Sequence, residues 1–464
     1  MAGDGREEGV GRPLPGRRGR ALRNLRVGFR DYAAFLGRLH DEFGPIATFD
    51  LPSTTVCAVF DAELMQEALV AKRACFEKGP ALKRAGFLGG STILTGDGEP
   101  HRRRRRLLLP AFHGEALAGY AGLVIGAAAD LSGGWRDGAT VDLAAEMQRL
   151  TLRIETGAFF GTDSRVEPAV LSDAIEGMRW DMKLLFLPWS GLLRRLPLPQ
   201  SRKARRAFGR LDAAIREVVR KARADTGARV DLVSLLARAR DEAGGYAALS
   251  DSEVRDECYA VLLAAHEATV NAMVWAFHHL ACRPETQVRL ERELDAVLAG
   301  RPPAPADLES LPFARAVFDE TLRLTPPIAF FGRRAIADCT IGGYRIPAGT
   351  TVQMAVLTAQ RDPRHFPEPD RFLPERWLEE GGGPGDGIAF LAFGGGNRLC
   401  VGGAFARMAA VLVLATVVQR WRFQPLLAGP VETTSLVIYR PKHGLPMRLM
   451  ARRDVPASDG GARA

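Results

Sequence analysis

Cys400 stands in the run Phe393-Gly394-Gly395-Gly396-Asn397-Arg398-Leu399-Cys400-Val401-Gly402-Gly403, just upstream of an apolar helical pattern over 404–418. A helix N-terminus offers free backbone N–H groups, and these stabilise negative charge on sulfur. The flanking glycines, Gly402 among them, let the backbone come close to a flat macrocycle. Arg398, two residues before the thiol, can give a haem propionate a charge-assisted hydrogen bond. Phe393 can shield the sulfur from water. Together these are the parts of an axial thiolate ligand for haem iron, which pushes electron density onto the metal. The competing reading is a buried structural cysteine in a glycine-rich turn.

The run closely resembles the haem loop of the cytochrome P-450 family, Phe-x-x-Gly-x-Arg-x-Cys-x-Gly, and every fixed position is present. The resemblance extends from about residue 21 to 452 and implies the cytochrome P-450 fold and a monooxygenase activity. It also implies heme b (haem b) ligated through Cys400. Glu320-x-x-Arg323 and Arg376, in Pro374-Glu375-Arg376-Trp377, match the structural network that locks the loop behind the haem, with Trp377 where the family has Phe. Alone, a Glu-x-x-Arg pair on a helix is a solvated ion pair worth little; its order and distance relative to Cys400 carry the match. His101 and Arg105, spaced i, i+4, match the pair that contacts the propionates. Arg333 matches a further propionate-binding arginine, with Arg334 as its neighbour and rival. The other arginines of Arg102–Arg106 are expected to point outward, toward an acidic electron donor.

One motif departs from the family. The pattern Ala/Gly-Gly-x-Asp/Glu-Thr is met by Ala264-Ala265-His266-Glu267-Ala268-Thr269. The acid is Glu267, but Ala268 stands at the position of the threonine that orients water for proton delivery in dioxygen activation. Thr269 lies one helical step, about 100°, further round and should point away from the haem. The catalytic candidates are therefore Glu267 and Thr269, with a substrate hydroxyl or Glu267-bound water supplying what Ala268 lacks. His266 reads as a satisfied helix histidine. By family position, substrate contacts fall on Phe87, Leu88, Met182, Leu185, Val261, Ala264, Ala265, Ala268, Ile328, Phe330 and Leu436. All are apolar, which suits a hydrophobic substrate, and about half are expected to be ordinary core residues.

These groups need a scaffold. The clearest element is a helix over about 252–282, opened by the capping box Ser250-x-x-Glu253 and closed before Pro284. Helical patterns recur over 31–43, 101–112, 116–223, 285–298 and 312–324. A hairpin is expected over 46–60, and strand-like pieces at 339–344, 350–354, 436–439 and 447–450. The fold class is mainly α with small β-sheets at the edges. Residues 1–20 read as a disordered basic arm, 21–452 as a single domain and 453–464 as a disordered tail.

The chain has 464 residues, 47% of them apolar, and a formal net charge of +9, enough for a large core and suited to an acidic partner. Its six cysteines are scattered without a C-x-x-C pair, which argues against zinc and a disulfide framework. No run reads as a signal peptide or a membrane span, so a cytoplasmic place is expected. No flavin or ferredoxin segment flanks the domain. Electrons are then expected from a separate ferredoxin or flavodoxin with its NAD(P)H-dependent reductase. The family implies a monomer acting on dioxygen and a hydrophobic molecule, with no nucleic acid. Three rivals remain: a peroxide-using or non-oxygen-inserting haem-thiolate enzyme, a non-catalytic haem-binding protein, and a nucleic-acid binder resting on Arg102–Arg106 alone.

Overall fold

The computed structural model describes residues 11–52, 54–79, 83, 90–161, 166–185, 198–224, 231–239, 249–378, 387–435 and 438–452. Helices dominate. The longest, Asp251–Ala281, has both halves of its capping box: the Ser250 hydroxyl accepts from the Glu253 N–H, and the Glu253 carboxylate accepts from the Ser250 N–H. At 31 residues and ~1.5 Å rise per residue it crosses about 46 Å of the molecule. It packs against helices Leu143–Phe160, Pro168–Leu185, Pro199–Ala224 and Pro312–Leu324. Helix Gly403–Val418, buried almost throughout, packs on Gly114–Gly133 and Pro312–Leu324. These helices share one apolar core.

A second core lies under a six-stranded sheet. Its spatial order is Gly16–Arg17, Ile46–Leu51, Thr54–Val59, Thr351–Met354, Phe331–Ala335, Phe76–Lys78. The expected hairpin is there, with Thr48 opposite Cys57. Strand Phe76–Lys78 runs antiparallel to Phe331–Ala335 and sets Lys78 opposite Arg333. Small sheets elsewhere include the hairpin Cys339–Ile341/Tyr344–Ile346, which turns on Gly342 and Gly343 at positive φ.

Several expectations are corrected. Residues 11–20 are ordered: Gly16 and Arg17 pair in parallel with Thr48 and Phe49. Gly16 permits it, because a Cβ there would fall 1.9 Å from the Thr48 carbonyl oxygen. Strands Thr140–Asp142, Phe331–Ala335 and Trp421–Pro425 were not anticipated. Two helices, Gly114–Gly133 and Asp251–Ala281, are long and apolar enough to cross a membrane, where the sequence reading found none. Their apolar windows tolerate isolated polar residues such as His266 that interrupt any continuous run. In the long helix 72% of that window is buried inside the protein. Residues 1–10 and 453–464 lie outside the described residues, as do Phe87, Leu88 and Leu436.

Candidate active site

The cysteine loop is fixed from both sides. Gly394 N–H donates to the Leu391 carbonyl at 2.8 Å and Cys400 N–H to the Phe393 carbonyl at 2.9 Å. Gly396 sits at φ 62°, and a Cβ there would fall 2.4 Å from the Leu69 carbonyl oxygen. Only glycine lets the loop press on the π-helical turn Glu67–Ala71. The helix starts at Gly403, with Gly402 as its N-cap. Cys400 is exposed on one side and crowded by protein on the others. That burial pushes its thiol up, opposed by the Gly402 N–H bonded to it and by the charges of Arg105 and Arg407. A bound metal ion reverses this balance, since a coordinating thiol is deprotonated outright. The Phe393 ring lies against Gly403 and under the Arg407 guanidinium, 4.5 Å from its centroid.

Beside the loop, basic groups crowd one carboxylate. Arg398 donates to Asp97 and to the Gly96 carbonyl, and its Nη1 is buried without a partner. Lys78 lies opposite Arg333 in the sheet, and its backbone N–H donates to Asp97 at 2.9 Å. Although its side chain retains some exposed area, Lys78 is packed among protein atoms, and burial with the charges of Arg333 and Arg398 brings it down to about 7. The same causes hold His101 at about 4, burial first and then Arg398, Arg105 and Lys78. Arg333 falls to about 10 through burial and Arg398. Arg105 donates to the Leu399 carbonyl, directly before Cys400. Lys83 also pairs with Asp97, at 2.7 Å. Like charges held this close call for anions. The two carboxylates of a haem, beside a thiol, fit this donor set. Strand alternation buries Arg333 and exposes Arg334.

Arg103 and Arg104 do not point outward as expected. They turn to Glu253 of the long helix, at 3.4 and 2.6 Å, and Arg104 is buried. Arg102 and Arg106 both pair with Glu99. Arg103 and Arg104 are thus stitched into the fold, while Arg102 and Arg106 stay exposed.

Behind the loop, Glu320 and Arg323 are wholly buried and Arg376 nearly so. Arg323 donates Nε and Nη2 to the Glu320 carboxylate at 2.8 and 2.9 Å, and donates to the carbonyls of Gln360, Pro369 and Arg371. Glu320 also accepts from Arg376 Nε at 3.3 Å, from Leu373 N–H at 2.8 Å and from Trp377 Nε1 at 2.9 Å. The indole at 377 thus adds a donor that a phenylalanine lacks. Gln360 completes the link: it donates to the Arg323 carbonyl and accepts from Leu391 N–H, at the base of the cysteine loop.

On the long helix, Glu267 is buried and its carboxylate pairs with Arg179 of Pro168–Leu185. His266 is fully buried and only half satisfied. Its Nδ1 meets Glu155 at 2.8 Å, and its Nε2 has no partner. Ala264 is exposed, and Ala265, Ala268 and Thr269 are partly so, on a helix otherwise largely buried. Thr269 therefore shares the accessible stripe with Ala265, one turn before it. Of the other substrate candidates, Val261 is core, and Phe330 packs on Tyr32 with ring centroids 4.6 Å apart. Ile328 is half-buried, and Met182 lines a cavity with Glu267. Helix Pro168–Leu185 ends at Leu185.

Sequence reasoning missed Lys78, Asp97, Gln360 and Arg179. None belongs to a motif; only the strand register and the loop contacts bring them in.

A mainly helical fold that locks a cysteine loop from behind and ringed cations beside it is the build of a haem-thiolate enzyme. The Cytochrome P450 family model matches residues 25–444. Cyclooctatin synthase of Streptomyces melanosporofaciens is 36% identical over 371 residues, covering 78% of this chain and 80% of that protein. Pentalenene oxygenase of Streptomyces avermitilis is 32% identical over 416 residues, covering 88% and 91%. The solved structure described as retinoic acid bound cyanobacterial CYP120A1 superposes with a TM-score of 0.84 at 24% identity, over 96% of this chain and all (100%) of that one. The chain belongs to the cytochrome P450 family and is an oxidoreductase of the monooxygenase type. Membership implies a haem iron bound by cysteine.

Proposed function

We propose that Cys400 ligates the iron of haem b and that the protein hydroxylates or epoxidises an apolar organic molecule. The observation that carries this reading is the thiol of Cys400 beside the cations around Asp97, a ligand for the metal next to partners for two propionates. When bound, haem supplies the redox chemistry of dioxygen activation. The chain's own residues do the rest. His101, Arg105, Arg333 and Arg398 hold the propionates, joined by Lys78. The Gly402 N–H orients sulfur, and Phe393 excludes water from it. Glu320, Arg323 and Arg376 keep the loop rigid. Glu267 holds a water for proton delivery, and a substrate hydroxyl gives that water its second contact in place of Ala268.

Two relatives are named for oxygenating pentalenene and cyclooctat-9-en-7-ol; from them we take a terpenoid as the substrate class. Electrons come from a separate ferredoxin or flavodoxin and its NAD(P)H-dependent reductase, in the cytoplasm, to a monomer folded as one domain. The test is turnover of a terpene panel with NADPH, ferredoxin and reductase under labelled dioxygen. One labelled oxygen atom in the product supports the reading; ligand binding without product under every electron source contradicts it. Ala268, with Glu267 held by Arg179, favours a second reading in which hydrogen peroxide is the oxidant. Faster product formation with peroxide than with the reductase system would select it.

A further inference from the structure

A cavity of about 120 Å³ lies between helix Pro168–Leu185, the long helix and the hairpin Thr433–Thr434/Arg440–Pro441. It has room for a polar headgroup and the carbons next to it. Met178, Met182, Leu262 and Ile438 supply apolar wall. The polar groups on it are unequal. Arg179 and Glu267 line the cavity and neutralise each other. Arg440 and Thr434 sit opposite one another in the hairpin register. Among the described residues neither side chain makes a hydrogen bond or ion pair. His266, fully buried and with an unpartnered Nε2, lines the long-helix wall of the cavity. One positive charge thus remains in a largely apolar enclosure, with polar atoms on two walls lacking partners. Arg440 is half-buried, and a carboxylate would satisfy its planar fork through two parallel hydrogen bonds.

We propose that this cavity binds the carboxylate of an otherwise apolar substrate, with Arg440 as its ion partner and the Thr434 hydroxyl donating to one carboxylate oxygen. The ligand class is then a terpenoid or similar hydrocarbon acid. The inference rests on the monooxygenase reading and narrows it: Arg440 sets which end of the substrate is held, and so which carbons can be oxidised.

Isothermal titration calorimetry on the holoenzyme tests this with matched acid and methyl-ester pairs: farnesoic acid, abietic acid and dodecanoic acid against their esters. At least one acid should bind about tenfold or more tighter than its ester. Arg440→Gln should erase that preference, and Arg440→Lys should keep most of it. Equal binding of acids and esters by the wild type overturns the proposal, as does binding of no acid, or a preference that survives Arg440→Gln. If Arg440→Gln does not fold, the wild-type pairs and Arg440→Lys still decide. The calorimetric difference does not depend on the thiolate spectrum, so failure of the haem-thiolate assignment would be read separately, in the carbon monoxide spectrum.

Discussion

Replacing Glu320 by Gln strikes the network behind the cysteine loop at its centre. The carboxylate accepts five hydrogen bonds, from Arg323 Nε and Nη2, Arg376 Nε, Trp377 Nε1 and Leu373 N–H. Arg323 is wholly buried, so neutralising its partner strands a charge that water cannot reach. Breaking a buried pair in this way costs about 3–5 kcal/mol, roughly two to four powers of ten in the folding equilibrium. Trp377→Phe removes one donor and leaves the carboxylate its others. The loss should be about 1.5 kcal/mol, the low end for a hydrogen bond to a charged group. Because both changes act on one carboxylate, the double variant should lose less than the sum of the two. Guanidinium chloride unfolding followed by circular dichroism reads these differences as shifts in midpoint at unchanged slope. Haem content should fall with Glu320→Gln, since Gln360 ties Arg323 to Leu391 and the loop. A Glu320→Gln protein that loses less than about 1 kcal/mol and keeps its haem would refute the reasoning.

Gly396→Ala should prevent the loop from seating: the new Cβ would meet the Leu69 carbonyl oxygen at 2.4 Å, at a φ of 62°; near-complete loss of bound haem is expected, measured by pyridine haemochrome. In the haem-free protein, His101 titrates near 4 instead of 6.5. The unfolded chain then binds the extra proton between those values, so this group's share of stability, about 3 kcal/mol at most, is present above pH 6.5 and lost as pH falls toward 4. His101→Gln should flatten that slope in denaturant midpoints measured from pH 7 to 4. Ala268→Thr should raise the fraction of NADPH electrons recovered in product on substrates that lack a hydroxyl; unchanged coupling across several substrates would show that Ala268 is not limiting.

The elements with a local signal were legible in sequence. The long helix carries its own capping box, and its ends fall within a residue of the expected 252–282. The cysteine loop is written in consecutive residues. What the sequence hid was assembled across distance. Lys78 reaches the site because Phe76–Lys78 pairs in register with Phe331–Ala335, and a three-residue strand has too little pattern to be seen alone. Arg103 and Arg104 looked like surface charge because a run of arginines has no face until Glu253 and Glu257 are placed beneath it. His266 was read as satisfied, and only the fold reveals that one of its nitrogens is not. Residues 11–20 looked disordered by composition, yet sheet pairing at Gly16 holds them down.

The most direct test of the central claim is the absorption spectrum of the reduced protein under carbon monoxide, taken for the wild type and for Cys400→Ser. A strongly red-shifted, thiolate-type Soret band is expected in the wild type and its loss in the variant. A wild-type band at the imidazole-like position, or a thiolate-type band that persists in Cys400→Ser, would contradict it.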